Sequence, residues 1–409
     1  MIGVAILSRK AFQMDFSTDA CGSPSETLGV VFDVDSLYAE FERLVDRRGR
    51  RGRRYALATV LLLIVLAKMC GEDRPYGIAQ WVGARSEALR KVLGVRNRRL
   101  PSLNTYRRVL QSAVEVRELH GVVRRFLCRK VKRRERMLVT IDGKTLRGTL
   151  NSRASHGVHV LAAYLPAEGV VLMQVAVESK GNELSAAPHL LRSLDLRGKV
   201  VMGDAMFTQR GLSRQILQAG GDYIWLAKEN QRHLQEAIAQ LFAPIRRSPG
   251  WGVPPNDFQS AMTLDKGHGR LEERILTSSA LLNDYLDWPG VAQVFQLQRH
   301  RTNLCHGTCT TQTVYGLTSL NRSQAHAAQL LSFVRNYWRI ENSLFHRRDA
   351  TLREDATHTT APPLAQALSA INNLVIGLVL KNGWRSLPEA RRHFDAHPTI
   401  ALTLLLQSG

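Results

Sequence analysis

The chain has 409 residues, 44% of them apolar, enough to bury a sizeable core in two or three domains and to exclude wholesale disorder. Fifty-six Lys and Arg against 35 Asp and Glu leave a net charge of +21, an excess that points to a polyanion and most simply to nucleic acid. A membrane surface is the rival, but the sequence carries no basic amphipathic helix and no lipidation motif, so no membrane partner is expected.

Residues 1–35 lack periodicity and read as a disordered leader. The apolar stretch Ile2 to Leu7 has no basic flank and no cleavage signal, so cytoplasmic, nucleoid-associated residence is expected. Five cysteines fit a reducing compartment. Cys305-His-Gly-Thr-Cys309 supplies at most three soft ligands with no second pair at metal spacing, and reads as a loop.

Residues 36–132 read as helix after helix, a helical N-terminal DNA-binding domain. Leu37, Phe41 and Leu44 share one face of the first helix. The apolar run from Tyr55 to Lys68 is too short to span a bilayer and is expected to be a buried core helix. Helical stretches at 76–82, 87–93 and 103–114 follow, with breaks at Gly71, Gly83 and Pro101. Before the apolar run lies Arg47-Arg-Gly-Arg-Arg-Gly-Arg-Arg54, six arginines in eight residues. It is either a solvated charge run or a contact to DNA phosphates, with Arg50, Arg51, Arg53 and Arg54 as the contacts; such contacts carry no sequence information.

The pattern changes in 133–242. Strand-like runs at 137–141, 158–165 and 170–177 precede helix 184–194, strand 200–202, helix 209–219, strand 223–227 and helix 231–242. That order is the order of a ribonuclease-H-like α/β fold with a mixed sheet, in which the first and fourth strands lie side by side. Residues 243–320 read as an inserted, mostly β segment, 321–384 as the helical completion of the catalytic core, and 385–409 as a C-terminal tail.

Three carboxylates stand out. Asp142 lies in Leu138-Val-Thr-Ile-Asp-Gly-Lys144, Asp204 in Lys199-Val-Val-Met-Gly-Asp-Ala205, and Glu341 in Tyr337-Trp-Arg-Ile-Glu-Asn342. The two aspartates close apolar runs and are expected at strand ends. An Asp there is often only a turn former, but each adjoins a glycine that would admit a phosphate or metal. Lys144 and Arg147 add positive charge beside the first. On a regular helix Glu341 shares a face with Val334, Tyr337, Trp338, Phe345 and Arg348, and it is expected to pack on the sheet, held by a metal or by an ion pair with an arginine. Two strand-end aspartates and a helical glutamate suit a two-metal phosphoryl-transfer site. Asp349, Glu354 and Asp355 are the rival acids, with Glu354 expected near solvent or paired with Arg353.

Six segments occur in order: Ile141-Asp-Gly-Lys-Thr-Leu-Arg-Gly148, Glu178-Ser-Lys-Gly-Asn-Glu-Leu184, Gly203-Asp-Ala-Met-Phe-Thr-Gln209, Asp222-Tyr-Ile-Trp-Leu-Ala-Lys-Glu-Asn-Gln231, Gly267-His-Gly-Arg-Leu-Glu-Glu-Arg274 and Trp338-Arg-Ile-Glu-Asn342. On these the chain resembles the ISAs-type insertion-sequence transposases, relatives of the H-repeat-associated proteins, from about residue 36 to 382. The resemblance implies a DDE transposase with a ribonuclease-H-like core. It implies Asp142, Asp204 and Glu341 as catalytic and metal ligands, Mg²⁺ or Mn²⁺ as cofactor, and double-stranded DNA, both element ends and target, as partner. Of the related Tyr-Arg-Glu-Lys signature this chain keeps Arg335 and Arg339 near Glu341, and Arg348 where the lysine falls. Those three, with Lys144, Arg147 and Lys228, are expected to clamp phosphates. A homodimer or higher oligomer assembled on DNA is expected. Two alternatives stay open: a non-catalytic, decayed or domesticated DNA-binding protein, and a metal-dependent nuclease without strand joining. Asn182, Glu183 and His268 are motif residues to which the sequence assigns no role.

Overall fold

The computed structural model describes residues 30–129, 136–150, 157–177, 182–243, 257–267, 269–338 and 340–407. The segment expected to be a leader lies almost wholly outside these residues, as do His268 and Arg339.

The helical region begins with α1 (Leu37–Glu42), capped by Ser36 Oγ on the Ala39 amide at 3.1 Å. The helices α2 (Leu57–Met69), α3 (Pro75–Ala84), α4 (Ser86–Val92), α5 (Leu103–Arg108) and α6 (Val116–Cys128) follow. A π-helical turn, Val109–Ala113, extends α5. All thirteen residues of α2 are buried, which is where a helix apolar on every side must sit. Each of its leucines stabilises the fold by about 1.5–3 kcal/mol through burial.

The sheet strands are β1 (Met137–Leu146), β2 (Val158–Leu165), β3 (Val170–Val177), β4 (Lys199–Gly203) and β5 (Asp222–Ala227). Helix α7 (Glu183–Arg192) precedes β4, α8 (Arg210–Gln218) separates β4 from β5, and α9 (Arg232–Leu241) follows β5. Four more strands come next: β6 (Gln259–Gly267), β7 (Arg270–Ser279), β8 (Gln293–Asn303) and β9 (Cys309–Thr318). The C-terminal part contains α10 (Ala327–Tyr337), two π-helical turns at Ile340–Phe345 and Arg347–Thr351, then α11 (Pro362–Lys381), α12 (Leu387–Ala396) and α13 (Pro398–Leu406).

One nine-stranded sheet runs in the order β3-β2-β1-β4-β5-β9-β8-β7-β6. The first five strands have the ribonuclease-H-like arrangement: β1, β2 and β3 are antiparallel, while β1–β4 and β4–β5 are parallel. The inserted β segment does not stand apart from that sheet. β9 pairs antiparallel with β5, so the insertion continues the sheet sideways. β6, a polar strand with no apolar run to announce it, is the far edge.

The expected C-terminal tail is instead the pair α12 and α13. Pro388 and Pro398 sit in the first turns, where proline's missing N–H costs nothing, and so start these helices rather than break them. α2 packs against α11, α12 and α13, and one apolar core joins residues from Leu37 to Leu406. The helical N-terminal region and the C-terminal helices are therefore one packing unit. α11 is long and apolar enough to cross a membrane, but its flanks lie in this core, with 83% of its most apolar window buried.

Buried ions stitch the unit. Arg348 is 0% exposed and reaches Glu354 at 2.7 Å, Gln174 at 3.1 Å and Ser369 at 2.6 Å. Asn372 donates to the other Glu354 oxygen at 2.8 Å. Nearby, Arg391 bridges from α12 to Asp73 at 2.7 Å, and Lys68 lies 3.8 Å from the same carboxylate. Burial lowers the Lys68 ammonium to about 8, with Asp73 opposing the shift.

Candidate active site

The pairing of β1 with β4 ends at Ile141 opposite Gly203, so the next residue on each parallel strand is an aspartate. Neighbouring strands are about 4.8 Å apart, which brings Asp142 and Asp204 side by side. Asp142 is not at a strand end as expected. β1 continues for four more residues, paired to β2, with Asp142 opposite Ala162. Asp204 does lie just past its strand and caps a 3-10 turn, Ala205–Phe207, accepting from the Ala205 amide at 2.8 Å. Its Oδ1 also accepts from Lys228 Nζ at 2.9 Å.

Glu341 comes from the first π-helical turn after α10, which packs on β1. π-turns advance the chain less per residue than an α-helix, and such turns gather at functional sites. The regular 3.6-residue face expected for 334–348 is broken. Glu341 and Trp338 are exposed while Tyr337 is 5% exposed, so Glu341 is not a carboxylate sealed against the sheet.

Tyr337 marks the convergence. Burial raises its phenol well above the ordinary value, and the charges of Asp142, Asp204, Glu341 and Glu183 push the same way. Burial likewise lifts the Asp142 carboxyl to about 7. The Gly143 amide at 2.8 Å opposes that rise, and Glu183, Glu341 and Asp204 add to it. The charges of Glu183, Glu341 and Asp204 thus reach Asp142, a repulsion that a cation would relieve.

Glu183 is the acid whose role the sequence did not disclose. It opens α7 and is buried, and its Oε1 is 2.6 Å from His159 Nε2. His159 Nδ1 in turn lies 2.9 Å from Thr145 Oγ1. A Cβ on Gly143 would fall within 2.5 Å of all three atoms of the Glu183 carboxyl. The glycine after Asp142 thus admits Glu183, not a phosphate. The glycine before Asp204 has a similar reason: a Cβ there would meet Phe207 and Ile141 at 2.6 and 2.8 Å. An acid directly before an amphipathic helix, in Gly-Asn-Glu, was the available signal.

The expected phosphate clamps fare differently. Lys228 is half exposed on Asp204 and Arg147 is exposed. Arg335 is 45% exposed and bonded to Asp265 at 2.6 Å. Lys144 is 8% exposed, with Nζ 2.6 Å from both oxygens of Asp349, so that lysine is spent on the rival acid. Arg348 corrects its expectation outright: wholly buried and spent on Glu354, it touches no phosphate. Glu354 is the other half of that pair, neither at solvent nor with Arg353. Arg339 lies outside the described residues. Of the arginine run, Arg50, Arg51, Arg53 and Arg54 are exposed; Arg53 also donates to the Asp46 carbonyl at 2.6 Å. Arg48 is buried on Asp46 and the Tyr55 carbonyl and shapes the loop.

The donor set is all carboxylate oxygen, which suits a hard divalent cation. Among the described residues no three acids, histidines or cysteines are drawn in to coordination spacing.

Comparison with known proteins places the chain in a family. The model "Transposase DDE domain" matches residues 133–378, and "DDE_Tnp_1-associated" matches 38–127. YncI of Escherichia coli O157:H7, which has transposase in its name, is 28% identical over 363 residues, covering 85% of this chain and 87% of that one. The H repeat-associated protein YhhI of Escherichia coli strain K12, also named as a transposase, is 26% identical over 332 residues, covering 80% and 85%. The cryo-EM structure of a piggyBac transposase synaptic complex with hairpin DNA overlaps 90% of this chain and 78% of its own, at 11% identity and a TM-score of 0.40. The chain belongs to the DDE transposase family and is an insertion-sequence transposase, a phosphoryl-transfer enzyme.

Proposed function

We propose that this chain cleaves and joins double-stranded DNA at the ends of its element, with Asp142, Asp204 and Glu341 as the catalytic acids. The observation that carries the reading is that Asp142 and Asp204 follow the last pair of the adjacent parallel strands β1 and β4, with Glu341 on a turn packed against β1. Asp142 and Asp204, on adjacent rigid strands, would hold Mg²⁺ or Mn²⁺, and Glu341 would close the set from its exposed turn. Bound divalent ions supply activation of water or of a DNA 3′-hydroxyl and charge stabilisation at the leaving oxygen. Glu183, fixed by His159, holds the space beside Asp142 and adds negative charge that favours cation binding. Lys228, which donates to Asp204 at 2.9 Å, stands where it could also donate to a phosphate oxygen at the site. Arg147, Arg335, Arg50, Arg51, Arg53 and Arg54 are exposed cations for the DNA backbone. Assembly as a dimer on paired ends and residence with DNA in the cytoplasm complete the reading.

The test is a set of charge-removing, shape-keeping variants: Asp142→Asn, Asp204→Asn and Glu341→Gln. Each is expected to abolish cleavage of a duplex carrying the element end in Mg²⁺ or Mn²⁺, to keep DNA binding, and to shrink the thermal shift that Mn²⁺ gives the DNA-free protein. Cleavage near the unmodified rate by any of them would remove that acid from the assignment. Full activity in EDTA would remove the cation.

A further inference from the structure

Away from the acids, a groove of about 750 Å³ runs between the helical unit and the catalytic sheet's helices. Arg43, from just after α1, Arg117, Arg124 and Arg125, from α6, and His189 and Arg192, from α7, line it. The only carboxylate among its lining residues is Glu118, which is held by Arg47 at 2.9 Å. We propose that this groove is a binding site for the sugar-phosphate backbone of duplex DNA, on the flank of the cleaved end. The proposal rests on the functional reading above and gives it a location.

The guanidiniums are placed in advance. Glu40 is 1% exposed and lies beneath the groove, bonded to Arg43 at 2.7 Å, Arg125 at 2.9 Å and Arg129 at 2.8 Å. One buried carboxylate thus orients two of the groove's arginines, Arg43 and Arg125, and less side-chain entropy is lost when a phosphate arrives. Arg124 is anchored across the groove on the Ser193 carbonyl at 3.2 Å. Arg117 is exposed with no protein partner among the described residues, and Arg192 is bonded only to His189, at 2.8 Å. Five like charges on facing walls repel, and a polyanion relieves that repulsion.

Spacing favours an extended backbone over a small anion. Arg117 and Arg124 are seven residues apart on α6, about 10 Å along the axis at 1.5 Å per residue. That is the length of about three nucleotides of one strand at 3.4 Å each. α7 supplies the register with the chemistry. Its first residue, Glu183, stands beside Asp142, and its last, Arg192, lines the groove about 14 Å farther along. DNA lying on both would meet the groove about four base pairs from the reacting phosphate.

The test uses the full chain with Arg117→Gln and Arg192→Gln combined, and a charge-matched control, Arg385→Gln with Arg392→Gln. Binding to an element-end duplex is measured by anisotropy at several salt concentrations in EDTA. The groove variant should bind more weakly, with a salt slope shallower by about two, since each lost phosphate contact removes about 0.9. The control should change less. Equal affinity and slope in the groove variant, or an equal loss in the control, overturns the proposal. So does a loss of self-association by the groove variant without DNA, which would make the groove a contact between copies. If the unmodified chain binds no duplex, the functional reading falls and takes the groove with it; if it binds and cuts DNA while the groove variant is unaltered, only the groove falls.

Discussion

Gly143→Ala adds one methyl group beside the catalytic strand, and the structure says what it meets. The new Cβ would lie within 2.5 Å of the Cδ and both oxygens of Glu183, inside the distance that real Cβ atoms keep. Gly143 has ordinary strand backbone, so the cost is not conformational. Glu183 must move, and it is tied to His159 at 2.6 Å in a buried place. Losing a hydrogen bond to a charged group costs about 1.5–3 kcal/mol. For a chain of 409 residues that is a fall in melting temperature on the order of 2–3.5 °C. Differential scanning fluorimetry reads the fall directly, and a double-mutant cycle with Glu183→Ala assigns its cause. With the carboxyl gone there is room for the methyl, so Gly143→Ala should cost little in that background. If it costs as much there as in the unmodified chain, the clash with Glu183 is not the reason for the glycine. A melting temperature within about 1 °C of the unmodified protein would likewise refute the packing argument.

Two further outcomes follow from the buried ions. Arg348→Met should destabilise the protein by about 3–5 kcal/mol in urea unfolding, because Glu354 is left buried without its partner; in the protein that remains folded, DNA affinity should be unchanged, and a selective loss of affinity would return Arg348 to the DNA surface. Lys68 has a folded-state value of about 8 against an ordinary 10.5, so across that window the unfolded chain holds a proton that the folded chain lacks, and stability from this residue rises with pH. Lys68→Met should flatten that rise; an identical pH dependence in the two proteins would show that the lysine is not the titrating group.

The parts of the site built from strands were legible in the sequence because two apolar runs ended on Asp, and the order of strands and helices matched a ribonuclease-H-like fold that lays the two strands side by side. Glu183 was not legible. Its importance comes from α7 starting where it meets Gly143, a contact across forty residues of chain. Arg348 misled for the same reason, since Gln174 and Ser369, which receive it, are distant in sequence. Glu341 was found, but its setting was not, because a 3.6-residue period cannot announce a π-turn. α12 and α13, each with a proline in its first turn, were not anticipated in 385–409, nor was β6, whose polar residues alternate only weakly with apolar ones.

The shared core of α2 with α11, α12 and α13 has a consequence in time. On the ribosome α2 is made about 300 residues before its partners, which at about 5–20 residues per second leaves it waiting for roughly 15–60 s. Through that interval a helix apolar on every side has only α1, α3 and its nearest neighbours to cover it. Synthesis rate and chaperone supply, rather than the stability of the finished molecule, would then govern how much transposase a cell obtains from each message.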